Sequence, residues 1–281
     1  MATSTRLLIR QTASGRLGGC ITGAITSSVT APVATATDTN NLLDSDESEN
    51  ALIGNYFMFT EGNNAGVIRR LSSYVPASGV VAFGNSMSGN AVSGDDYEMQ
   101  EHLSPTDWNT CINAALRRCT RRREAAVSFT DDYNQVSLAS LTDLTRDNQI
   151  LEVWTQTGPT GQKRRRRLMK NVSWESYEDD DVLTLNLTKS LKADVPNNLE
   201  LYVAYIAPYA ALATDAATTN CDLDWVVTGA LLQAMETYPN QLEEPAKRTL
   251  KMTTSDLRKE FRRHSMAQAA RRSVTVGVRF S

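Results

Sequence analysis

The sequence predicts an α+β protein, mainly β, and three observations carry that prediction. From Gly18 to Gln100, short segments rich in Thr, Val and Ser alternate with turns built on Gly, Asn, Asp and Pro, the pattern of a small all-β module. Ser104-Pro105-Thr106-Asp107-Trp108 opens the clearest helix of the chain. Past Pro208 the spacing of apolar residues turns helical. The organisation expected is an N-terminal arm and small β-barrel-like module over 1–103, then a junction helix over 104–125. A β-sandwich or jelly-roll-like domain over 126–209 follows, with a helical C-terminal segment over 210–281 that ends in an extended β-like tail.

The chain has 281 residues, 41% hydrophobic and 22% charged, with a formal net charge of -3. Those totals allow a sizeable core and give no global field favouring nucleic acid. No apolar run reaches the roughly 18 residues of a membrane span. The first ten residues carry no signal-peptide pattern. Cys20, Cys111, Cys119 and Cys221 form no C-x-x-C pair, and all four are expected as reduced, mostly buried thiols. His102 and His264 are the only histidines, too few for a His-rich metal site.

Taken in order, residues 1–14 are polar and read as an irregular arm. Ile21 to Val29 and Val33 to Thr37 suit strands, broken by Pro32. Asp44, Asp46, Glu47 and Glu49 make an acidic loop. Tyr56 to Phe59 is a short apolar strand. Glu61 to Gly66 is a turn whose glycines and asparagines tolerate positive φ. Val67 to Tyr74, Val80 to Phe83 and Tyr97 to Gln100 are the remaining strands of the module. In the helix that follows, Ser104 is the N-cap, Pro105 fits the first turn and Asp107 completes a capping pattern. Trp108, Ile112, Ala115 and Cys119 form its apolar stripe. Arg117, Arg118, Arg121, Arg122 and Arg123 crowd its expected last turns, where cations suit the carbonyl end of the helix dipole.

Part of the β module resembles a known family. Asn55-Tyr56-Phe57-Met58-Phe59, Gly62-Asn63-Asn64-Ala65-Gly66-Val67-Ile68-Arg69-Arg70, Ser73-Tyr74 and Gly94-Asp95-Asp96-Tyr97-Glu98 resemble a β module that recurs in structural proteins of tailed bacteriophages. The resemblance spans about the first hundred residues and runs into the helix. It implies a virion protein, and the architecture favours a head–tail connector or adaptor. That position implies a homo-oligomeric ring, with twelve-fold symmetry among the forms considered. The partners implied are portal and tail proteins, with non-specific contact to packaged DNA. The place implied is the head–tail junction, after synthesis in the host cytoplasm, without a membrane. A capsid decoration, baseplate or fibre-attachment protein is the alternative within the virion.

Beyond the helix, Ala125 to Phe129, Ile150 to Gln156, Leu168 to Tyr177, Val182 to Leu187 and Leu199 to Ile206 read as strands of a second β unit. A helix capped at Asn220 or Asp222 should run from Leu223 to Thr237, apolar nearly all round and so buried. A short helix over Glu243 to Leu250 and a last one capped at Thr254 or Ser255 follow, the latter reaching Arg271. Val274 to Phe280 alternates and is a candidate for pairing with a neighbouring subunit.

No G-x-S-x-G, phosphate-binding glycine loop or H-E-x-x-H occurs, so neither catalysis nor a metal or cofactor is expected. The functional weight falls on charge. Arg117 to Arg123, then Lys163, Arg164, Arg165, Arg166 and Arg167, then Arg258, Arg262 and Arg263 are separate basic blocks in an acidic chain. Together with Val274, Val276, Val278 and Phe280 they are the candidate interface toward an acidic subunit face or toward DNA phosphates. A different class, a carbohydrate-binding β-sandwich module, would use Trp154, Trp174, Tyr202 and Tyr205 as stacking surfaces.

Overall fold

The computed structural model describes residues 3–44, 47–49, 51–127, 135–157, 164–168, 170, 174–179, 182–187 and 200–274. The fold is α+β and mainly β, with 32% helix, 36% strand and a curled half-barrel sheet. The chain divides into two compact units, one of Met1–Cys119 with Ala210–Ser281 and one of Thr120–Tyr209. The C-terminal helices therefore belong with the N-terminal module rather than forming a separate segment.

The first unit begins with β1 (Ser4–Thr5) and α1 (Arg6–Arg16). A helix here replaces the expected arm. The Thr5 hydroxyl caps it by accepting the Leu8 amide, and Ile9, Arg10, Ala13 and Ser14 face inward. Then come β2 (Cys20–Ala24), β3 (Val33–Thr37), β4 (Tyr56–Phe59), β5 (Ile68–Val75), β6 (Val80–Met87) and β7 (Asp96–Gln100). They form one antiparallel sheet in the order β2-β7-β4-β5-β6-β3. Phe57 lies at its centre, stacked on Tyr97 with ring centroids 4.8 Å apart and packed against Phe59 and Phe83. Gly79 turns the chain between β5 and β6 with φ +62, and a Cβ there would strike the Asp38 carbonyl, so only glycine fits.

Helix α2 (Pro105–Arg118) starts as its capping pattern predicts. The Ser104 hydroxyl accepts the Asp107 amide and donates to the Asp107 carboxylate. Trp108, Ile112, Ala115 and Cys119 are fully buried, so the stripe is real. The helix ends earlier than expected. Arg121, Arg122 and Arg123 leave it and enter a strand.

That strand is β8 (Thr120–Val127), the first of the second unit. It is followed by β9 (Gln135–Ser137), β10 (Ile150–Thr157), β11 (Arg164–Leu168), β12 (Trp174–Asp179), β13 (Val182–Leu187) and β14 (Glu200–Pro208). Two antiparallel sheets result, β11-β10-β14-β8 and β12-β13-β9. Val153, Leu201 and Val203 of one share a core with Trp174, Leu183 and Leu185 of the other, a sandwich-like arrangement. The basic run Arg164 to Arg167 is an edge strand rather than a preface to one. The expected strand Leu168 to Tyr177 is divided between β11 and β12, and 169 and 171–173 lie outside the described residues.

Back in the first unit, residues 210–217 are irregular and β15 (Thr218–Thr219) pairs with β1. Helix α3 (Leu223–Thr237) matches its predicted limits, with the Asp222 carboxylate accepting the Trp225 amide. It packs on α2 through Gly229, where a Cβ would sit 3.0 Å from that of Ala115. Helix α4 (Pro239–Pro245) begins at Pro239, earlier than expected, and runs into a π turn at Ala246–Leu250. Helix α5 (Thr254–Val274) follows. Its start is held by Thr253, one residue before the predicted cap, which exchanges hydrogen bonds with Asp256. Val274 is the last helical residue and not the start of a strand. Val276, Val278 and Phe280 lie outside the described residues.

Candidate functional site

The block Arg117 to Arg123 is divided by the fold. Arg117 and Arg118 close α2, where cations face the orphan carbonyls of the last turn. Arg118 pairs with Glu236 at 3.2 Å, and Arg258 of α5 reaches the same carboxylate at 2.7 Å. The hydrogen bond from Arg258, then that from Arg118, hold Glu236 below the usual carboxylate range. Two residues of separate basic blocks thus meet at one acid within one unit.

In the second unit Arg121, Arg122 and Arg123 are each engaged. Arg121 lies over the Tyr209 ring at 5.1 Å. Arg122 bridges Glu124 and Glu152, both at 2.9 Å, and Arg123 pairs with Asp143. These are contacts within the second unit.

Strand β11 sets Trp154 against Arg167 and Gln156 against Arg165, while Val153 opposes Leu168 and Thr155 opposes Arg166. Successive strand residues point to opposite faces. Cationic residues on an edge strand also oppose unwanted pairing with another chain. Lys163 lies outside the described residues.

On α5, Leu257 and Phe261 face inward, and the Phe261 ring lies 6.1 Å from that of Trp225. Lys259, Arg262 and Arg263 are exposed.

The most demanding electrostatic site is one the sequence pattern did not single out. The Arg10 side chain is 0% exposed. Its Nε donates to Glu98 at 2.6 Å, and its two terminal nitrogens fork onto Asp215 at 2.8 and 2.6 Å. One of them also reaches Asn109 at 2.7 Å. Arg6 adds a second cation on Asp215 at 2.8 Å. Burial pushes Glu98 above the usual carboxylate range, against the pull of Arg10. Burial would raise Asp215 too, but the hydrogen bonds and charges of Arg10 and Arg6 outweigh it and hold it low. The local signal lay in the apolar spacing of Ile9, Ala13 and Leu17, four residues apart. This cluster is a clamp among α1, β7, α2 and the 210–217 segment. Its charges are spent on one another.

Cys111, Cys119 and Cys221 are buried and Cys20 is half-buried. Cys20 and Cys111 are pushed up to about 12, chiefly by burial. Cys119 is pushed up by its hydrogen bond with Cys221 and then by burial. A raised pKa works against nucleophilic use of Cys20, Cys111 and Cys119. Among the described residues no cluster of His, Cys, Asp and Glu has the makings of a metal site. The second unit has an open cleft of about 400 Å³ lined by Arg146, Asn148, Ser176, Tyr177, Glu178 and Leu183. Trp154, Trp174 and Tyr205 are buried and Tyr202 is half-buried and stacked on Trp154, so these aromatics do not make an open stacking platform.

The residues that carry the phage resemblance have structural work. Asn64 is buried and its side chain brackets the 89–90 backbone, donating to the Gly89 and Asn90 carbonyls and accepting the Gly89 amide. Arg69 donates to the Asn85 and Ser86 carbonyls, and Arg70 donates to the Tyr56 hydroxyl at 2.6 Å. The motif is a packing device for β4, β5 and β6. No protein-family model, curated protein or solved structure matches the chain.

Proposed function

We propose that the chain is a structural component of a tailed-phage virion, a ring-forming connector or adaptor between portal and tail, without catalysis. The observation that carries the reading is the residue pattern from Asn55 to Glu98, whose segments lie in neighbouring strands of one sheet. An assembly role is further supported by the exposed cations of α5. Such surfaces suit contacts between acidic and basic patches of successive subunits. Where they meet packaged DNA, the contact is to phosphate and carries no sequence preference.

Electron microscopy of the particle, labelled with an antibody to this chain, tests the reading. Label at the portal vertex is the expected result. Label over the shell or at the baseplate moves the protein to a decoration, baseplate or fibre-attachment position. Particles without label overturn the virion reading.

A further inference from the structure

Two of the four thiols meet in the core of the first unit. Cys119 is 0% exposed and Cys221 1%, and their side chains share a hydrogen bond. Cys119 is the C-cap of α2, in extended conformation, and its amide donates to the Ala115 carbonyl. Cys221 directly precedes Asp222, the N-cap of α3, and its amide donates to the Thr219 hydroxyl at 3.2 Å. The two helices pack closely one turn before Cys119, where a Cβ on Gly229 would sit 3.0 Å from that of Ala115. The pair is thus held by the ends of two packed helices. Cys20 has a different neighbour, accepting a hydrogen bond from Gln100 at 3.5 Å.

Their places in the chain matter as much as their contact. The chain leaves the first unit after Cys119 and re-enters it at Ala210, with all of Thr120–Tyr209 strung between. A bond from Cys119 to Cys221 would close a loop that contains the whole second unit. Closing so long a loop removes much of the entropy that the unfolded chain gains when α2 and α3 separate.

We propose that Cys119 and Cys221, reduced in this structure, are a disulfide site that a small disulfide such as oxidised glutathione closes, locking the end of α2 to the start of α3. One cysteine, as thiolate, attacks a sulfur of oxidised glutathione, whose S–S bond breaks to release one glutathione thiolate. The other cysteine, as thiolate, then attacks the protein sulfur of the mixed disulfide, forming the Cys119–Cys221 bond and releasing the second glutathione. The two protons lost by the cysteines end on the two released glutathiones. The cysteine pair gives up two electrons and the glutathione disulfide takes them. A disulfide needs its sulfurs about 2 Å apart, nearer than hydrogen-bonded thiols, so the two side chains turn toward each other as the bond forms. Burial limits access and thiolate alike, so closure waits on local opening of the helix ends and is slow. In a reducing compartment the pair stays as thiols, and in an oxidising one it closes. The site is independent of the virion reading above.

Incubation of the full chain with oxidised glutathione at about pH 8.5, near the ordinary pKa of a thiol, tests it, followed by peptide mapping under non-reducing conditions. Most chains should carry a Cys119–Cys221 cross-link that dithiothreitol removes. The oxidised chain should also unfold at a higher denaturant concentration than the same sample after reduction. Cys119→Ala should give no cross-link at Cys221 and no such rise. The mapping is done on the wild-type chain, so it decides the matter even if the variant does not fold. Glutathione left on Cys119 or Cys221 of the wild type without a link between them overturns the site. So does a link from either residue to Cys20 or Cys111, or both thiols still free after prolonged incubation at a denaturant concentration just below the unfolding transition. A Cys119–Cys221 link that lowers the unfolding midpoint overturns the lock.

Discussion

Helices α1 and α5 each carry arginines, and the two faces have opposite fates. On α1, Arg10 is sealed inside with Glu98, Asp215 and Asn109, its partners lying 88, 205 and 99 residues away in the chain. On α5 a run of cations stays in water beside its own acidic neighbours. The same guanidinium is a structural bolt in one place and surface charge in the other. The comparison teaches that a run of arginines advertises a surface, whereas a single arginine among apolar residues, with acids elsewhere to answer it, can hold more of the fold. A buried cation is tolerable only when fully paired, and that requirement ties α1 to three other parts of its unit.

The largest test of this contrast is Arg10→Ala. It leaves the Glu98 carboxylate buried without its cation, and we expect a loss of roughly 3–5 kcal/mol in chemical denaturation. A loss under about 1 kcal/mol would show that the cluster does not hold the unit together. Arg10→Lys keeps the charge but not the fork that reaches Glu98, Asn109 and Asp215 together, and should still cost about 2 kcal/mol.

Asp215→Asn is expected to cost roughly 2 kcal/mol at neutral pH, and its pH dependence has a definite sign. The folded Asp215 carboxyl is held below its ordinary value, so its stabilisation is fully present above the unfolded pKa of about 3.9 and fades as pH falls through the lower folded value. The gap between wild type and variant should therefore narrow below about pH 4. Glu98 works the other way. Its raised folded pKa favours the fold as pH falls through that value. A gap that widens in acid would contradict the assignment. The smallest effect belongs to α5, where Arg262→Ala with Arg263→Ala should shift stability by no more than about 0.5 kcal/mol. A larger loss would mean that the face is packed rather than presented.

Much of the fold was legible because its signals are local. The alternation of Val182 to Leu187 and the cap and apolar content of Leu223 to Thr237 located β13 and α3 to the residue. Ser104, Pro105 and Asp107 located the start of α2. What was not legible depends on distant partners. Arg121 to Arg123 are good helix formers after a helix, but they pair with Ala207, Ile206 and Tyr205 of β14, and a sheet hydrogen-bond ladder outweighs a weak local propensity. Arg164 to Arg167 have no apolar alternation to mark a strand, and their strand exists because β10 offers them an edge. α1 looked like a polar arm because its inward face includes Arg10 and Ser14, whose burial makes sense only once Glu98 and Asp215 are in place. Of the candidate surface, the exposed cations of α5 were legible as a charge run.

Arg10, buried and paired, serves stability, and the exposed cations of α5 serve self-assembly in the function proposed above. Negative-stain microscopy of the purified chain across a salt series tests it most directly. Closed rings of uniform size at low salt, coming apart as salt screens the charged contacts with folding intact, are the expected result. Monomers at every salt concentration would contradict it.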